Sequence, residues 1–382
     1  MSNLKAIVAG GGIGGLATAA ALAQRGWAVT IYERQDELRA VGAGIYIWEN
    51  GLRVLESLGA FDEATVNAFQ GTHFEQRDNH GEIIDSAPIG GDNRLLTVPR
   101  SQLLAALQKA CERAEVKIVT STEVTGANAR GELFLAVGGS ISAALAVGVD
   151  GVWSKVREAL GLERSHEQTI EGALRTMVAA APGDFGADDL GKYIECWNGA
   201  RRFLVTPVNL ERTYLALTCP DTDTRACAVP VDKAVWRDAF PQWSHLIERI
   251  GEFPINWGVY SVTRCNAWSA GRTAIVGDAA HAQTPNLGQG GGMAMQNGLA
   301  LAVRLESVRD RRDIPDALEA WEAGERDIVE HCQRWASLYG EVTHLPDEVR
   351  ARVIRGAMSD PWVAGQVFRA ANHAPLGTSP PK

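Results

Sequence analysis

Short apolar runs that lead into glycine mark the start of the chain. Residues 6–9 form a run of buried-strand type that ends in the glycine-rich turn 10–15. Residues 16–24 are rich in Ala and Leu, as in a helix packed on a sheet, and Gly26 ends this segment before a second strand at 28–32. This order of strand, turn, helix and strand predicts a dinucleotide-binding α/β unit.

Two later apolar runs end in an acidic residue beside glycine. The runs 144–149 and 273–276 lead to Asp150 and to Asp278, and a second glycine-rich turn at 288–292 then opens an apolar helix. An acid at the carboxyl edge of a strand can hold a chain of sugar-like hydroxyls, and a glycine-rich helix start presents N–H groups to an anion. Asp278 taken alone is more typical of a turn or a helix cap, so the interpretation depends on the whole series.

Polar and apolar residues alternate more strongly in two intervening stretches, 72–88 and 169–264. Alternation with a period of two predicts strands, and the clearest candidates are 193–197, 202–206 and 213–218. We therefore expect an inserted β-sheet that covers the nucleotide-binding unit on one side.

Composition, net charge and cysteine spacing exclude several classes of protein. The 382 residues include 46% hydrophobic and 22% charged residues, as in an ordinary soluble globular protein, and the net charge of −9 argues against nucleic acid as a partner. The six cysteines form no Cys-x-x-Cys pair, so we expect reduced thiols and no metal site. The apolar stretch 6–22 is broken by five glycines, and no other stretch approaches a membrane span, which favours a cytoplasmic protein without stable membrane association.

The first glycine motif has the spacing of a phosphate-binding turn. Gly10 permits the tight turn, Gly12 lets a pyrophosphate approach the backbone, and Gly15 allows close contact between helix and strand. Glu33 lies at the end of the second strand, where its carboxylate can accept hydrogen bonds from both ribose hydroxyls. The motif alone does not separate NAD from FAD, and a glycine turn without a ligand is the alternative.

The order and spacing of the segments 10–15, 148–157 and 277–292 resemble the class A flavoprotein monooxygenases, the para-hydroxybenzoate hydroxylase superfamily, over residues 6 to about 326. The resemblance implies that Glu33 and the first motif bind the ADP half of FAD and that Asp278 holds the ribityl chain. The cofactor-binding residues that it implies are Gly10, Gly12, Ile13, Gly15, Glu33, Arg34, Gly44, Arg100, Asp150, Asp278, Gly288, Gly290 and Gly291.

Residues 42–56 are especially similar to pyridine-ring oxygenases of this superfamily. Carried over by position, Tyr46, Arg202 and Tyr214 meet the substrate and Pro285 lies beside the flavin. Phe74 stands where those enzymes have a tyrosine, so one hydrogen bond to the substrate is expected to be missing. The alternatives are a packing role for the tyrosines and a surface position for Arg202. His281 is interpreted as structural rather than as an acid or base.

The resemblance implies an activity. NADH or NADPH reduces FAD, O₂ adds at the flavin C4a atom, and the hydroperoxide transfers one oxygen to a small aromatic or N-heteroaromatic ring, such as a hydroxypyridine or hydroxybenzoate carboxylate. Ring-opening oxygenation of a hydroxypyridine, an O₂-independent flavin reductase and a non-catalytic FAD-binding module remain alternatives. A monomer or homodimer is expected.

The predicted fold class is α/β, with a Rossmann-like FAD-binding domain, an inserted substrate-binding β-sheet and a helical C-terminal segment. The expected division is 1–71, 95–167 and 266–345 for the FAD-binding parts, 72–94 and 168–265 for the substrate domain, and 346–382 for the C-terminal helices and tail.

Overall fold

The computed structural model of the protein describes residues 4–39, 42–90 and 93–379; the last three residues of the predicted tail lie outside this range. The strands, in chain order, are β1 (Lys5–Ala9), β2 (Ala28–Tyr32), β3 (Gly44–Trp48), β4 (Phe69–Gln70), β5 (His73–Asp78), β6 (Ile83–Pro88), β7 (Leu95–Pro99), β8 (Lys117–Val119), β9 (Val124–Asn128), β10 (Glu132–Leu135), β11 (Ser140–Ser142), β12 (Leu145–Gly148), β13 (Glu163–Ala179), β14 (Lys192–Asn198), β15 (Arg201–Pro207), β16 (Arg212–Pro220), β17 (Trp257–Cys265), β18 (Ser269–Ala270) and β19 (Thr273–Ile275).

The helices, in the same order, are α1 (Ile13–Gln24), α2 (Glu49–Ser57), α3 (Phe61–Thr65), α4 (Arg100–Arg113), α5 (Lys155–Leu160), α6 (Lys233–Ala239), α7 (Ser244–Glu248), α8 (Asp278–His281), α9 (Gly290–Leu305), α10 (Ile314–Thr343), α11 (Asp347–Ser359) and α12 (Pro361–Phe368). Short 3₁₀ turns lie at Pro241–Trp243, at Pro285–Leu287 directly before α9, and at Arg311–Asp313.

The nucleotide-binding sheet has the strand order β18-β19-β12-β1-β2-β8. Strands β19, β12, β1, β2 and β8 run parallel, and β18 joins the edge antiparallel to β19. The three predicted apolar runs are the central strands β1, β12 and β19, so their carboxyl ends lie side by side along one edge. Helix α1 begins three residues earlier than its Ala- and Leu-rich segment, because the glycines at 14 and 15 pack against the sheet as part of the helix.

A second sheet of mixed direction has the order β17-β13-β16-β15-β14-β5-β6. The three strands predicted within 193–218 lie inside β14, β15 and β16, which pair antiparallel. One face carries Phe203 and Val205, which pack in a core with Trp236 and Phe240 of the α6 region. Alternation along β15 therefore turns Arg202 and its neighbours on the other face towards the nucleotide-binding unit.

Helix α9 packs against α1 and α10, and α11 and α12 follow at the end of the described chain. The mixed α/β architecture, the inserted sheet and the helical C-terminal segment confirm the predicted fold class. The division into domain segments stays a prediction. Among the residues that the structure describes, no helix combines the length and apolar character needed to cross a membrane.

Candidate active site

One cavity of about 590 Å³ opens between the carboxyl edge of the parallel sheet and the inserted sheet. It brings together predicted residues that lie up to 279 positions apart in the sequence. Those that line it are Gly12, Ile13, Gly44, Tyr46, Arg100, Arg202, Tyr214, Asp278, Pro285, Gly288, Gly290 and Gly291. Gly10, Gly15, Glu33, Arg34 and Asp150 lie outside its lining, in the elements that shape it.

The first glycine turn is fixed by close backbone contacts. Gly10 has a φ of +106°, and a Cβ on it would lie 2.3 Å from the Val149 carbonyl oxygen. A Cβ on Gly15 would lie 2.0 Å from the Gly10 oxygen, whereas a Cβ on Gly12 would meet none of the described atoms within 4 Å. The turn is therefore closed on the protein side and open towards the cavity at Gly12.

Glu33 holds this turn from the end of β2. Its Oε2 accepts a hydrogen bond from the Gly11 amide at 2.7 Å, and its Oε1 accepts one from the Gln35 amide at 2.9 Å. Arg34, the next residue, is exposed. A carboxylate beside the turn is placed where the sequence predicts a ribose acceptor.

Two helix starts face the same cavity. Gly12 and Gln289 are the N-cap residues of α1 and α9, and neither caps its helix through a side-chain hydrogen bond. The first turns of both helices contain no acidic residue, and Gly290 and Gly291 line the cavity. First-turn N–H groups lack intrahelical acceptors and the helix dipole is positive there, so both starts favour anionic groups.

Asp150 is engaged by its own helix. Its Oδ1 accepts a hydrogen bond from the Ser154 hydroxyl at 2.6 Å, and its Oδ2 accepts from the Lys155 and Val156 amides at 2.7 and 3.1 Å. In the same segment, Arg157 donates to the Ala279 carbonyl oxygen at 2.9 Å. The second and third predicted segments are thus tied together, and Asp150 shapes the site from outside the cavity.

Arg100 and Asp278, both predicted to contact the flavin, lie on the cavity lining. The Arg100 amide donates to the Ala43 carbonyl oxygen at 2.9 Å, which fixes the start of α4 against the 42–44 loop. Enclosure by protein raises the pKa of Asp278, and Arg100 opposes that shift. Burial, followed by the neighbouring Arg175, lowers the pKa of Arg100.

Tyr46 and Tyr214 form an aromatic corner where the two sheets meet. Their ring centroids are 6.1 Å apart in an edge-to-face arrangement, and a Cβ on Gly44 would lie 2.9 Å from Tyr214 Cγ. The Tyr46 and Thr206 hydroxyl oxygens are 2.5 Å apart. Burial raises the pKa of both tyrosines, so both phenols are protonated at neutral pH.

Arg202 is buried rather than on the surface. Its Nη2 donates to Asn286 Oδ1 at 2.8 Å, and its Nη1 lies 3.5 Å from Glu195 Oε1. Burial lowers the pKa of Arg202, but Glu195 and Glu171 outweigh this effect and the net shift is upwards. Because Asn286 follows Pro285 in the turn before α9, Arg202 links the inserted sheet to the predicted flavin turn.

Sequence reasoning missed several polar residues of the cavity wall. Glu195 Oε2 accepts hydrogen bonds from the Tyr339 hydroxyl at 2.6 Å and from Gln76 Nε2 at 3.3 Å, and all three side chains line the cavity. Arg175 also lines it, with its guanidinium carbon 5.3 Å from the Tyr260 ring centroid. The alternation within 193–197 was the available signal for Glu195, since it puts this residue on the same face as Tyr193.

His281 lies on α8 and is buried beside Trp268, with ring centroids 5.4 Å apart. Its Nε2 is 3.3 Å from Asn297 Oδ1. Burial lowers the pKa of His281 to about 4, so the ring is neutral at physiological pH. These contacts agree with a structural role.

The cavity fits an elongated flavin dinucleotide. Gly12 leaves open space at one helix start for a phosphate, and the start of α9 offers N–H groups to the anionic edge of a reduced flavin ring. Asp278 lines the same cavity, and its carboxyl can accept hydrogen bonds from a polyhydroxyl chain.

Comparisons with known proteins agree with this fit. The family model described as FAD binding domain matches residues 3–336. A putative 2-heptyl-3-hydroxy-4(1H)-quinolone synthase of Rhodococcus erythropolis is 38% identical over 377 residues, which are 98% of each chain.

Solved structures extend the similarity to the whole fold. A structure of 2-methyl-3-hydroxypyridine-5-carboxylic acid oxygenase has a TM-score of 0.89 and 33% identity, with 99% of this chain and 98% of that chain covered. HpxO of Klebsiella pneumoniae, solved with FAD and uric acid, has a TM-score of 0.82 and 25% identity, with 98% of both chains covered. The chain therefore belongs to the FAD binding domain family and, within it, to the class A FAD-dependent monooxygenases.

Proposed function

We propose that this enzyme uses NADH or NADPH and O₂ to hydroxylate an N-heteroaromatic ring. The observation that carries the proposal is the single cavity that runs from the two glycine-rich helix starts to the wall of Tyr46, Arg202 and Tyr214. Two similar proteins are named for a quinolone and a hydroxypyridine, and a third, HpxO, was solved with uric acid; all three compounds are nitrogen heterocycles.

The overall reaction balances with one nicotinamide and one O₂. A ring C–H, O₂, NAD(P)H and a proton give a ring C–OH, water and NAD(P)⁺. FAD supplies the redox chemistry when it is bound, and the protein supplies position, exclusion of water and charge. A 4-oxo or hydroxyl group on the heterocycle donates electron density to the ring carbon that is oxygenated.

The protein groups have separate roles in this proposal. Arg202 and Tyr214 donate hydrogen bonds to the ring oxygen, since both are protonated at neutral pH and line the cavity. Tyr46 packs edge-on against Tyr214 and limits the plane in which a ring can lie. Pro285 places the turn before α9 next to the ring.

The cofactor assignments made from the sequence are retained as part of the proposal. Gly10, Gly12, Ile13, Gly15 and Glu33 hold the ADP half of FAD. Arg34, Gly44, Arg100, Asp150, Asp278, Gly288, Gly290 and Gly291 complete the binding site, Asp150 through the position of α5.

The test is a panel of rings offered to the purified holoenzyme: a 2-alkyl-4(1H)-quinolone, 2-methyl-3-hydroxypyridine-5-carboxylate, urate and 4-hydroxybenzoate. NADH and NADPH oxidation, O₂ uptake and product mass are measured for each ring. A hydroxylase incorporates one atom from ¹⁸O₂ into an intact ring. Stimulated O₂ uptake with an acyclic product indicates the ring-opening alternative, and nicotinamide oxidation without O₂ uptake indicates a reductase. No stimulation by any ring contradicts the proposal.

A further inference from the structure

The cavity continues beyond the tyrosine and arginine wall into an apolar part formed largely by the C-terminal helices. We call this part the apolar chamber, and its lining residues are Trp48, Phe74, Met358, Val367, Phe368 and Ala371. We propose that the apolar chamber binds an alkyl substituent carried by the heteroaromatic substrate. This inference rests on the proposed function and specifies the substrate class of the same site.

The chamber adjoins the position proposed for the reacting ring. The Trp48 indole N–H donates to the Leu287 carbonyl oxygen at 3.0 Å, in the turn that precedes α9. A Cβ on Gly288 would lie 3.3 Å from both Trp48 Nε1 and Tyr46 Cδ2. A chain attached to a ring beside Tyr46 therefore enters the chamber without leaving the cavity.

The walls of the chamber are held by aromatic packing. Trp48, Tyr46, Phe74, Phe368 and Ala371 belong to one hydrophobic cluster, and the Trp48 and Phe368 ring centroids are 5.7 Å apart. The cluster is backed by buried Tyr193. The Tyr193 ring stacks on Phe74 at 6.4 Å, and its hydroxyl donates to the Leu95 carbonyl oxygen at 2.5 Å. Preformed apolar walls of this kind suit an apolar guest.

Three features of the wall favour a neutral, apolar substituent over a carboxylate. Phe74 occupies the place of a tyrosine in the similar pyridine oxygenases, so this part of the wall presents a ring edge instead of a hydroxyl. Arg202 already faces Glu195 at 3.5 Å and donates to Asn286. Asp85, on the same cavity lining, adds a further acidic group, and burial raises its pKa. A carboxylate substituent would therefore meet two acids of the cavity lining, Glu195 and Asp85, while Arg202 keeps its free donor for the ring oxygen.

Burial of the alkyl chain in the apolar chamber should make affinity depend on chain length. Burial of each methylene in an apolar site is worth roughly a fourfold gain in affinity. A series of 2-alkyl-4(1H)-quinolones with methyl, propyl, pentyl and heptyl chains should therefore bind with a steadily falling Kd until the chamber is full. The Kd is read from the change in flavin absorbance of the oxidised holoenzyme, which requires no turnover.

Variants in the C-terminal segment locate the effect. Phe368→Ala removes an aromatic wall, and we expect the ratio of methyl to heptyl Kd to fall about tenfold. Ala371→Leu fills part of the chamber and should lower the same ratio, because less volume is left for the heptyl chain. Trp362→Ala is the matched control, because Trp362 lies on the same helix α12 but is 66% exposed.

The outcomes separate this inference from the proposed function. If the 2-methyl ring binds and is hydroxylated but chain length has no effect on Kd, the chamber proposal is overturned and the function stands. If alkyl chains tighten binding in wild type and both Phe368→Ala and Ala371→Leu behave like Trp362→Ala, another surface binds the chain and the proposal is overturned. Binding that tightens with chain length without any hydroxylation contradicts the proposed function and supports the chamber.

Discussion

Tyr339, near the end of the long helix α10, donates a hydrogen bond at 2.6 Å to Glu195 Oε2, on the interior strand β14 of the inserted sheet. The contact joins elements 144 positions apart in the sequence. Glu195 also faces Arg202 at 3.5 Å, so one buried carboxylate serves as the acceptor for a helix and the counter-ion for a cavity arginine. The position of Arg202 therefore depends on α10.

Loss of the Glu195 charge should destabilise the fold and disturb the site. Glu195→Gln leaves the buried Arg202 without its facing anion, and removal of one member of a buried ion pair costs about 3 kcal/mol in the free energy of unfolding. Tyr339→Phe removes the two hydrogen bonds of this hydroxyl, to Glu195 and from Gln76, and should cost about 1 kcal/mol for each. Urea denaturation of the holoenzyme measures both. Equal stability of Glu195→Gln and wild type would show that Asn286 and Glu171 compensate Arg202 without Glu195.

The nucleotide-binding half could be predicted because its geometry is local. The strand, turn, helix and strand from residue 5 to residue 32 follow from apolar runs and from glycines. These glycines are needed because the backbone is closely packed at the turn. A side chain at Gly10 or Gly15 would clash with backbone atoms, and the spacing of the motif already indicates this requirement for glycine. The same spacing cannot tell whether Asp150 reaches the ligand, and the structure shows its carboxylate occupied by α5.

The substrate half could be predicted only in outline. The alternating strands β14 to β16 were visible, but the partners of Glu195 lie on β5 and α10, and no local pattern specifies such pairings. The contribution of α12 to the cavity was also missed. Val367 on α12 and Ala371, three residues beyond its end, have the i, i+4 spacing of one helix face, but this spacing is equally typical of ordinary core packing.

Substitution of glycine at the first motif should separate folding from cofactor binding. The Cβ of Gly12→Ala meets no described atom within 4 Å, so the apoprotein should lose only about 1 kcal/mol, the cost of Ala in place of Gly at the N-cap of α1. The added methyl group lies where the pyrophosphate would approach, so we expect the Kd for FAD to rise at least about tenfold. Gly15→Ala, with its Cβ 2.0 Å from the Gly10 oxygen, should lose both stability and FAD.

Titration of each apoprotein with FAD, followed by flavin fluorescence, gives the Kd, and urea denaturation without FAD gives the stability. If Gly12→Ala binds FAD with the wild-type Kd, the pyrophosphate does not bind at this turn.

Gly44→Ala tests the contact between the two halves of the site. Its methyl group would lie 2.9 Å from Tyr214 Cγ, so the ring must shift from its place opposite Tyr46. A displacement of about 1 Å in a positioning group can reduce the rate roughly 100-fold, and we expect a loss in kcat/KM of at least about tenfold. Gly258→Ala, on the exposed strand position of β17 with no described atom within 4 Å of the added Cβ, is the control. Equal kcat/KM in Gly44→Ala and Gly258→Ala would mean that Tyr214 does not position the ring.

Buried His281 predicts a specific dependence of stability on pH. Burial lowers its pKa from 6.5 to about 4 in the folded protein, so the unfolded chain takes up a proton first as the pH falls. The contribution of neutral His281 is therefore complete above pH 6.5 and is lost as the pH falls from about 6.5 towards about 4, by roughly 3 kcal/mol in total. Replacement of the ring by an amide that does not titrate should remove this slope.

We expect His281→Gln to show a smaller fall in the free energy of unfolding between pH 6.5 and 4.5 than wild type, as measured by urea denaturation of the holoenzyme. His80→Gln is the matched control, because His80 is exposed and should leave the slope unchanged. The difference between the two slopes isolates His281 from the carboxylates that titrate in the same range. Parallel slopes for His281→Gln and His80→Gln would mean that His281 can be protonated in the folded protein without cost, and the buried, neutral ring beside Trp268 would then be the wrong description of α8.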